Sequence, residues 1–163
     1  MKGGRSRVAL AGLTALTVGI LLTLALHGED SDPKPGPGRR VIRAGPGTGG
    51  LPYSPGILVG STLYIAGTTG EDSANNLVPG GIEAETRQAL VNSGRVLKAA
   101  GMEFGDVASV TVYITSFDDF PGFNKIYRQV FSADPPARAT VQVAALIGGA
   151  KVELQMIAVR PEP

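Results

Sequence analysis

Apolar and polar positions divide this chain into three stretches of different character. Val8 to Leu26 is nineteen residues without a charge, with threonine as its only polar residue type. Asp30 to Gly50 then carries Pro33, Pro35, Pro37 and Pro46 among glycines and charges, a composition that buries no core. From Leu51 onward the pattern becomes that of a folded domain. Gly56 to Val59 and Thr62 to Ala66 read as the strands of a hairpin turned at Gly60-Ser61, and Gly67-Thr68-Thr69-Gly70 ends that sheet segment. Ile82, Ala89, Leu90, Val96, Leu97 and Ala100 recur at helical period, closed by Gly101. Val107 to Ile114 is a β-branched strand, and Asp118 to Phe131 a second helix with Asp118 near its cap. Thr140, Val141 and Val143 form a further strand, Ile147-Gly148-Gly149-Ala150 the connection, and Lys151 to Val159 alternates into the last strand. The order strand, strand, helix, strand, helix, strand, strand predicts an α+β fold, with two helices on one face of a mixed sheet.

The N-terminal stretch is a separate element. Lys2, Arg5 and Arg7 precede it, and at 1.5 Å per residue a helix over residues 8–26 spans about 28 Å, enough for a bilayer. Its exit, Ala25-Leu26-His27-Gly28, lacks a good small-x-small cleavage site, and there is no cysteine for lipidation. Residues 1–26 therefore read as an uncleaved signal anchor in preference to a signal peptide. Residues 27–50 read as a linker and 51–161 as the folded domain. The short basic N-terminus places the domain outside the cytoplasm, in the cell envelope, or secreted if the segment is cleaved.

Composition narrows the chemistry. A formal net charge of +1, with both signs interspersed, gives no field for attracting nucleic acid, so no nucleic-acid partner is expected. The absence of cysteine removes disulfides, thiolate nucleophiles and most structural zinc patterns. One histidine, His27, excludes a Ser-His-Asp triad in the folded domain and any multi-histidine metal site in a single chain. Arginine, carboxylate, tyrosine and water remain.

Pro136-Ala137-Arg138-Ala139-Thr140-Val141 sets an arginine at the start of an apolar strand, and Glu153 follows fifteen positions later in Val152-Glu153-Leu154. Two adjacent strands would bring the pair to one site. A guanidinium grips a carboxylate through two parallel hydrogen bonds, each charge-assisted contact worth roughly 1.5 to 3 kcal/mol, where lysine offers a point charge. Taken singly, each residue has a plainer role. Arg138 is a structural ion-pair partner, Glu153 a solvent-facing strand residue, Tyr53 an aromatic packing residue and Asn124 a helix-surface amide.

The run from Pro136 to Glu153 resembles the signature of the reactive intermediate deaminase family, also called RidA or YjgF-like. Pro52-Tyr53-Ser54-Pro55 is similar to that family's N-terminal Pro-Tyr element, Ile65-Ala66-Gly67 to its strand end, and Ala99-Ala100-Gly101 to its helix exit. Val112 to Tyr127, with Asp119-Phe120 and Asn124, resembles the following strand and helix. The resemblance runs collinearly from about Leu51 to Arg160. It implies a chorismate-mutase-like homotrimer with sites at subunit interfaces. It also implies that Arg138 and Glu153 are catalytic, and that Arg138, Tyr53, Gly67, Asn124 and Thr140 bind substrate, without metal or cofactor. Arg138 would hold the substrate carboxylate, and Glu153 would orient the water that adds to a C=N carbon. Tyr53 would wall the pocket, and Gly67 would let backbone approach the ligand. The chain departs from the family pattern at Ala66, Thr68, Ala139 and Thr140, where serine, glutamine, serine and cysteine are frequent. The implied reaction is hydrolysis of enamines and imines of the 2-aminoacrylate type to 2-keto acids and ammonia. A non-catalytic carboxylate-binding module of the cell envelope is the alternative.

Overall fold

The computed structural model describes residues 38–44, 48 and 50–160. The expected anchor over residues 1–26 and its membrane span over residues 8–26 lie outside the described residues. Among those described, no helix is long and apolar enough to cross a membrane.

Six strands form one mixed sheet: β1 (Arg39–Ile42), β2 (Gly56–Val59), β3 (Thr62–Thr69), β4 (Val107–Ile114), β5 (Ala137–Gln142) and β6 (Val152–Val159), in the order β1-β2-β3-β6-β4-β5. All neighbours are antiparallel except β4 and β5, which run parallel and so need a crossover. Helix α2 (Phe120–Val130) supplies it, while α1 (Gly81–Ala100) joins β3 to β4. The α+β architecture expected from the sequence is the one observed.

Period-two alternation sorts the strands' two faces. Leu63 and Ile65, Val110 and Val112, and Leu154 and Met156 are all buried on one side. Leu90, Val96 and Leu97 of α1 and Phe123 and Ile126 of α2 complete that core. The opposite face is open, with Tyr64 51% exposed and Val159 40% exposed. Helix α1 stops at Gly101 (φ 75°), where the Gly101 and Met102 N–H groups bond the carbonyls of Lys98 and Leu97.

The expected linker over residues 27–50 is not a tether throughout. Arg39–Ile42 pairs with β2 as the edge strand β1, and Ile42 is buried in the core. Two arginines and only one buried side chain hide such a strand from any test of periodicity, because pairing with β2 is what forms it.

Strand β3 is also longer than the hairpin pattern implied, and it is irregular. Ile65 faces Met156 and Thr68 faces Leu154, so Ala66 and Gly67 together stand opposite Gln155 in a β-bulge.

Candidate active site

The bulge shapes a cleft. Glu153, on β6, points to the open side of the sheet, and its carboxylate occupies the place where Gly67 has no side chain. A Cβ on Gly67 would come within 2.7 Å of Glu153 Cδ and closer still to Oε1. The cleft has a volume of about 670 Å³, and Tyr53, Ala66, Gly67, Glu71, Ile147 and Gln155 are among the residues lining it with Glu153. Partial burial pushes the Glu153 carboxyl above the usual carboxylate range. The entry to β6 is fixed two residues earlier, where the Lys151 N–H donates to Glu85 Oε2 (2.7 Å) and Lys151 Nζ to Asp119 Oδ2 (2.9 Å).

Arg138 lies elsewhere. Strands β5 and β6 are not adjacent, because β4 runs between them. Arg138 pairs with core-facing Val110 and so turns to the helix side, while Glu153 pairs with Tyr113 and turns to the open side. The expectation that one chain brings Arg138 and Glu153 together is thus corrected by strand order and by the alternation of faces. The guanidinium of Arg138 rests on α2. Its Nη1 donates to Asn124 Oδ1 (2.9 Å), and Cζ lies 4.7 Å from the Tyr127 ring centre, 5.5 Å from Phe123 and 5.7 Å from Phe120. Phe120, Phe123, Asn124 and Tyr127 follow the i, i+3, i+4, i+7 spacing of one helix face, so a single helix builds the whole seat.

Arg138 is exposed, and among the described residues it has no carboxylate partner; the ion pairs there are Lys125–Glu83 and Lys151–Asp119. That geometry argues against a purely structural salt-bridge role and leaves most of the guanidinium fork open to an anion. Thr140, opposite Val112, shares Arg138's face and is half-buried. The structure therefore divides the expected site residues into two groups. Tyr53, Gly67 and Glu153 meet in the cleft, and Arg138, Asn124 and Thr140 gather at the α2–β5 edge.

Three features were missed in the sequence. Asn92 is buried on α1, donates to the carbonyls of Thr69 (3.2 Å) and Glu71 (2.8 Å), and accepts from Gln88 and Arg95 (3.0 Å each). Its signal was available, as a polar residue in the apolar register between Ala89 and Val96. Tyr127, beneath Arg138, is buried with its hydroxyl unpartnered. Burial pushes that hydroxyl up to about 12, against the opposing pull of the Arg138 charge. Glu71 gave no signal, since a glutamate between Gly70 and Asp72 reads as a turn. Among the described residues no group of three or more histidine or acidic side chains is arranged to hold a metal.

A family model described as Endoribonuclease L-PSP matches residues 49–160. A goat (Capra hircus) protein named 2-iminobutanoate/2-iminopropanoate deaminase is 45% identical over 124 residues, covering 75% of this chain and 90% of its own. The YjgF gene product of E. coli superposes with a TM-score of 0.71 at 32% identity, covering 75% of this chain and 99% of that one. E. coli TdcF with bound serine gives a TM-score of 0.69 at 34% identity, with the same coverage.

Proposed function

We propose, from the premise that this chain belongs to the Endoribonuclease L-PSP family, the RidA and YjgF-like proteins, that it is an enzyme hydrolysing reactive enamine and imine intermediates to 2-keto acids and ammonia. One observation carries this reading: in a chain 45% identical to a named deaminase, a carboxylate with a raised pKa is seated over Gly67 beside Tyr53.

The chemistry follows from what each group can do. The enamine tautomerises to its imine, and the substrate carboxylate sits in the fork of Arg138, whose other side is held by Asn124 and the α2 rings. Glu153 accepts a proton from water as the water oxygen bonds to the imine carbon, and the imine nitrogen takes up a proton. The resulting carbinolamine loses ammonia by C–N cleavage: Glu153 returns its proton to the departing nitrogen, the hydroxyl releases its proton to solvent in exchange for the one the imine nitrogen took from solvent, and the C=O of the keto acid remains. A carboxyl whose pKa lies nearer neutrality than usual suits both halves of that exchange. Tyr53 walls the cleft, and Thr140 lies beside the arginine.

Arg138 and Glu153 face opposite sides of one protomer, which supports a homotrimer in which the arginine of one subunit serves the cleft of its neighbour. The uncharged stretch Val8 to Leu26 supports a membrane anchor that holds the domain outside the cytoplasm. Recovery of the intact chain in the membrane fraction is the expected result; a shortened soluble species would indicate a cleaved signal.

The test of the activity is ammonia and keto-acid release from imines generated in place by an amino-acid oxidase, with the full chain and its Arg138→Ala variant. Wild type accelerates release and the variant does not. A folded wild type that accelerates nothing across several imines would make the protein a carboxylate-binding module instead.

A further inference from the structure

The cleft contains a second carboxylate for which imine hydrolysis has no use. Glu71 lies just past the end of β3, half-buried, and lines the same cavity as Glu153. A Cβ on Gly148 would sit 3.8 Å from Glu71 Oε1, so the carboxylate stands at the wall formed by the Ile147–Gly149 connection. Among the described residues Glu71 has no salt-bridge partner, and the residues lining the cavity include neither lysine nor arginine.

The backbone beneath Glu71 is tied down. It bridges to Leu77, and its carbonyl accepts from buried Asn92 (2.8 Å). The next residue closes the turn, with Asp72 Oδ1 accepting from the N–H groups of Ala74 (2.8 Å) and Asn76 (3.0 Å). Glu71 is therefore presented on a rigid base, as a residue that reads a ligand needs to be. The arginine that a neighbouring subunit brings to the cleft is matched by the substrate carboxylate, so the two half-buried glutamates leave a net negative field, which a positive charge on the ligand's side chain relieves.

Resting on the deaminase reading above, we propose that Glu71 is the specificity-determining residue of this cleft and selects 2-imino acids whose side chain ends in a cation. Such imines arise when a basic amino acid is oxidised at its α-carbon. The extended chain from Gly67 to Glu71 covers at most about 13 Å. A three-carbon imine at Glu153 stops short of the Glu71 end, whereas a long basic side chain extends toward it. There a guanidinium or ammonium makes a charge-assisted hydrogen bond with Glu71, and Glu153 remains free for the water.

The test compares kcat/KM for the imines of arginine and of its neutral isostere citrulline, both generated by an L-amino-acid oxidase, using the full chain and Glu71→Gln. Wild type prefers the arginine imine, and Glu71→Gln lowers the arginine-to-citrulline ratio by about ten- to a hundredfold, the loss expected for one charge-assisted contact. Glu71→Lys inverts the preference and favours the imine of glutamate. A wild type that hydrolyses both imines with a ratio insensitive to Glu71→Gln overturns the specificity and leaves the deaminase standing. A folded wild type that hydrolyses neither overturns both. Turnover of the citrulline imine by each variant reports that its site is assembled.

Discussion

Replacing Gly67 by alanine should cut turnover about a hundredfold while sparing the fold. The added Cβ would lie 2.7 Å from Glu153 Cδ and 3.3 Å from Cγ. Ordinary carbon–carbon contact is about 3.5–4.0 Å, so the carboxylate must withdraw by at least ~1 Å, and further at Oε1, which lies nearer still. A displacement of that size at a reacting group costs about a hundredfold in rate, equivalent to ~2.7 kcal/mol of barrier. The fold loses little, because the clash meets only the mobile end of a side chain and Gly67 is outside the left-handed region. Thermal unfolding should shift by no more than a few degrees. Gly70, three residues on, provides the contrast: a Cβ there meets the main chain of α1, 2.8 Å from the Glu85 carbonyl oxygen, and the helix cannot step aside. Gly70→Ala should cost about 1–3 kcal/mol of stability. The assay is kcat/KM for imine hydrolysis beside a melting curve, with the double variant Gly67→Ala/Glu153→Gln expected to lose nothing beyond either single change. A folded Gly67→Ala retaining kcat/KM within about twofold of wild type would refute the placement of Glu153 in the chemistry.

Two further outcomes follow from titration and burial. Burial raises the Glu153 carboxyl, so kcat/KM should fall on the acid side at a pH above the ordinary carboxylate range, and Glu153→Gln should remove that limb from the rate profile. The same carboxyl favours the folded state only when protonated, a contribution present below its unfolded pKa and lost as pH rises through its folded one. Glu153→Gln should thus melt higher than wild type at neutral pH, the difference shrinking in acid; a lower melting point at neutral pH would contradict this. Tyr127→Phe removes a buried hydroxyl without a partner and should stabilise the protein by about 1 kcal/mol in thermal unfolding, whereas a loss of stability would mean the hydroxyl is bonded.

Residues that announce themselves locally were legible in the sequence. The helix expected over Ile82–Ala100 is α1 almost to the residue, closed by the expected Gly101, and the strand expected over Val107–Ile114 is β4. The second helix was legible but cut differently: Ser116 caps a short 3₁₀ turn, Phe117–Asp119, and α2 begins at Phe120. Long-range facts were hidden. No local pattern says that β4 inserts between β5 and β6, and that one neighbour relation decides whether Arg138 and Glu153 share a face. The identities of Arg138 and Glu153 came from motif resemblance, while the Tyr127 seat and the Asn92 brace came from packing across elements, which spacing alone does not encode.

The bulge at Ala66-Gly67 separates what may vary from what must not. Ile65 and Thr68 pair with β6 on either side of the two bulged positions, so the core's ladder does not run through the residues that sit directly against the acid of the cleft. A substitution at Ala66 can therefore alter selectivity with little risk to folding, as an editor revises a parenthesis without disturbing the sentence around it. Ala66 falls inside that space, whereas Gly67 is held to glycine by the Glu153 carboxylate behind it.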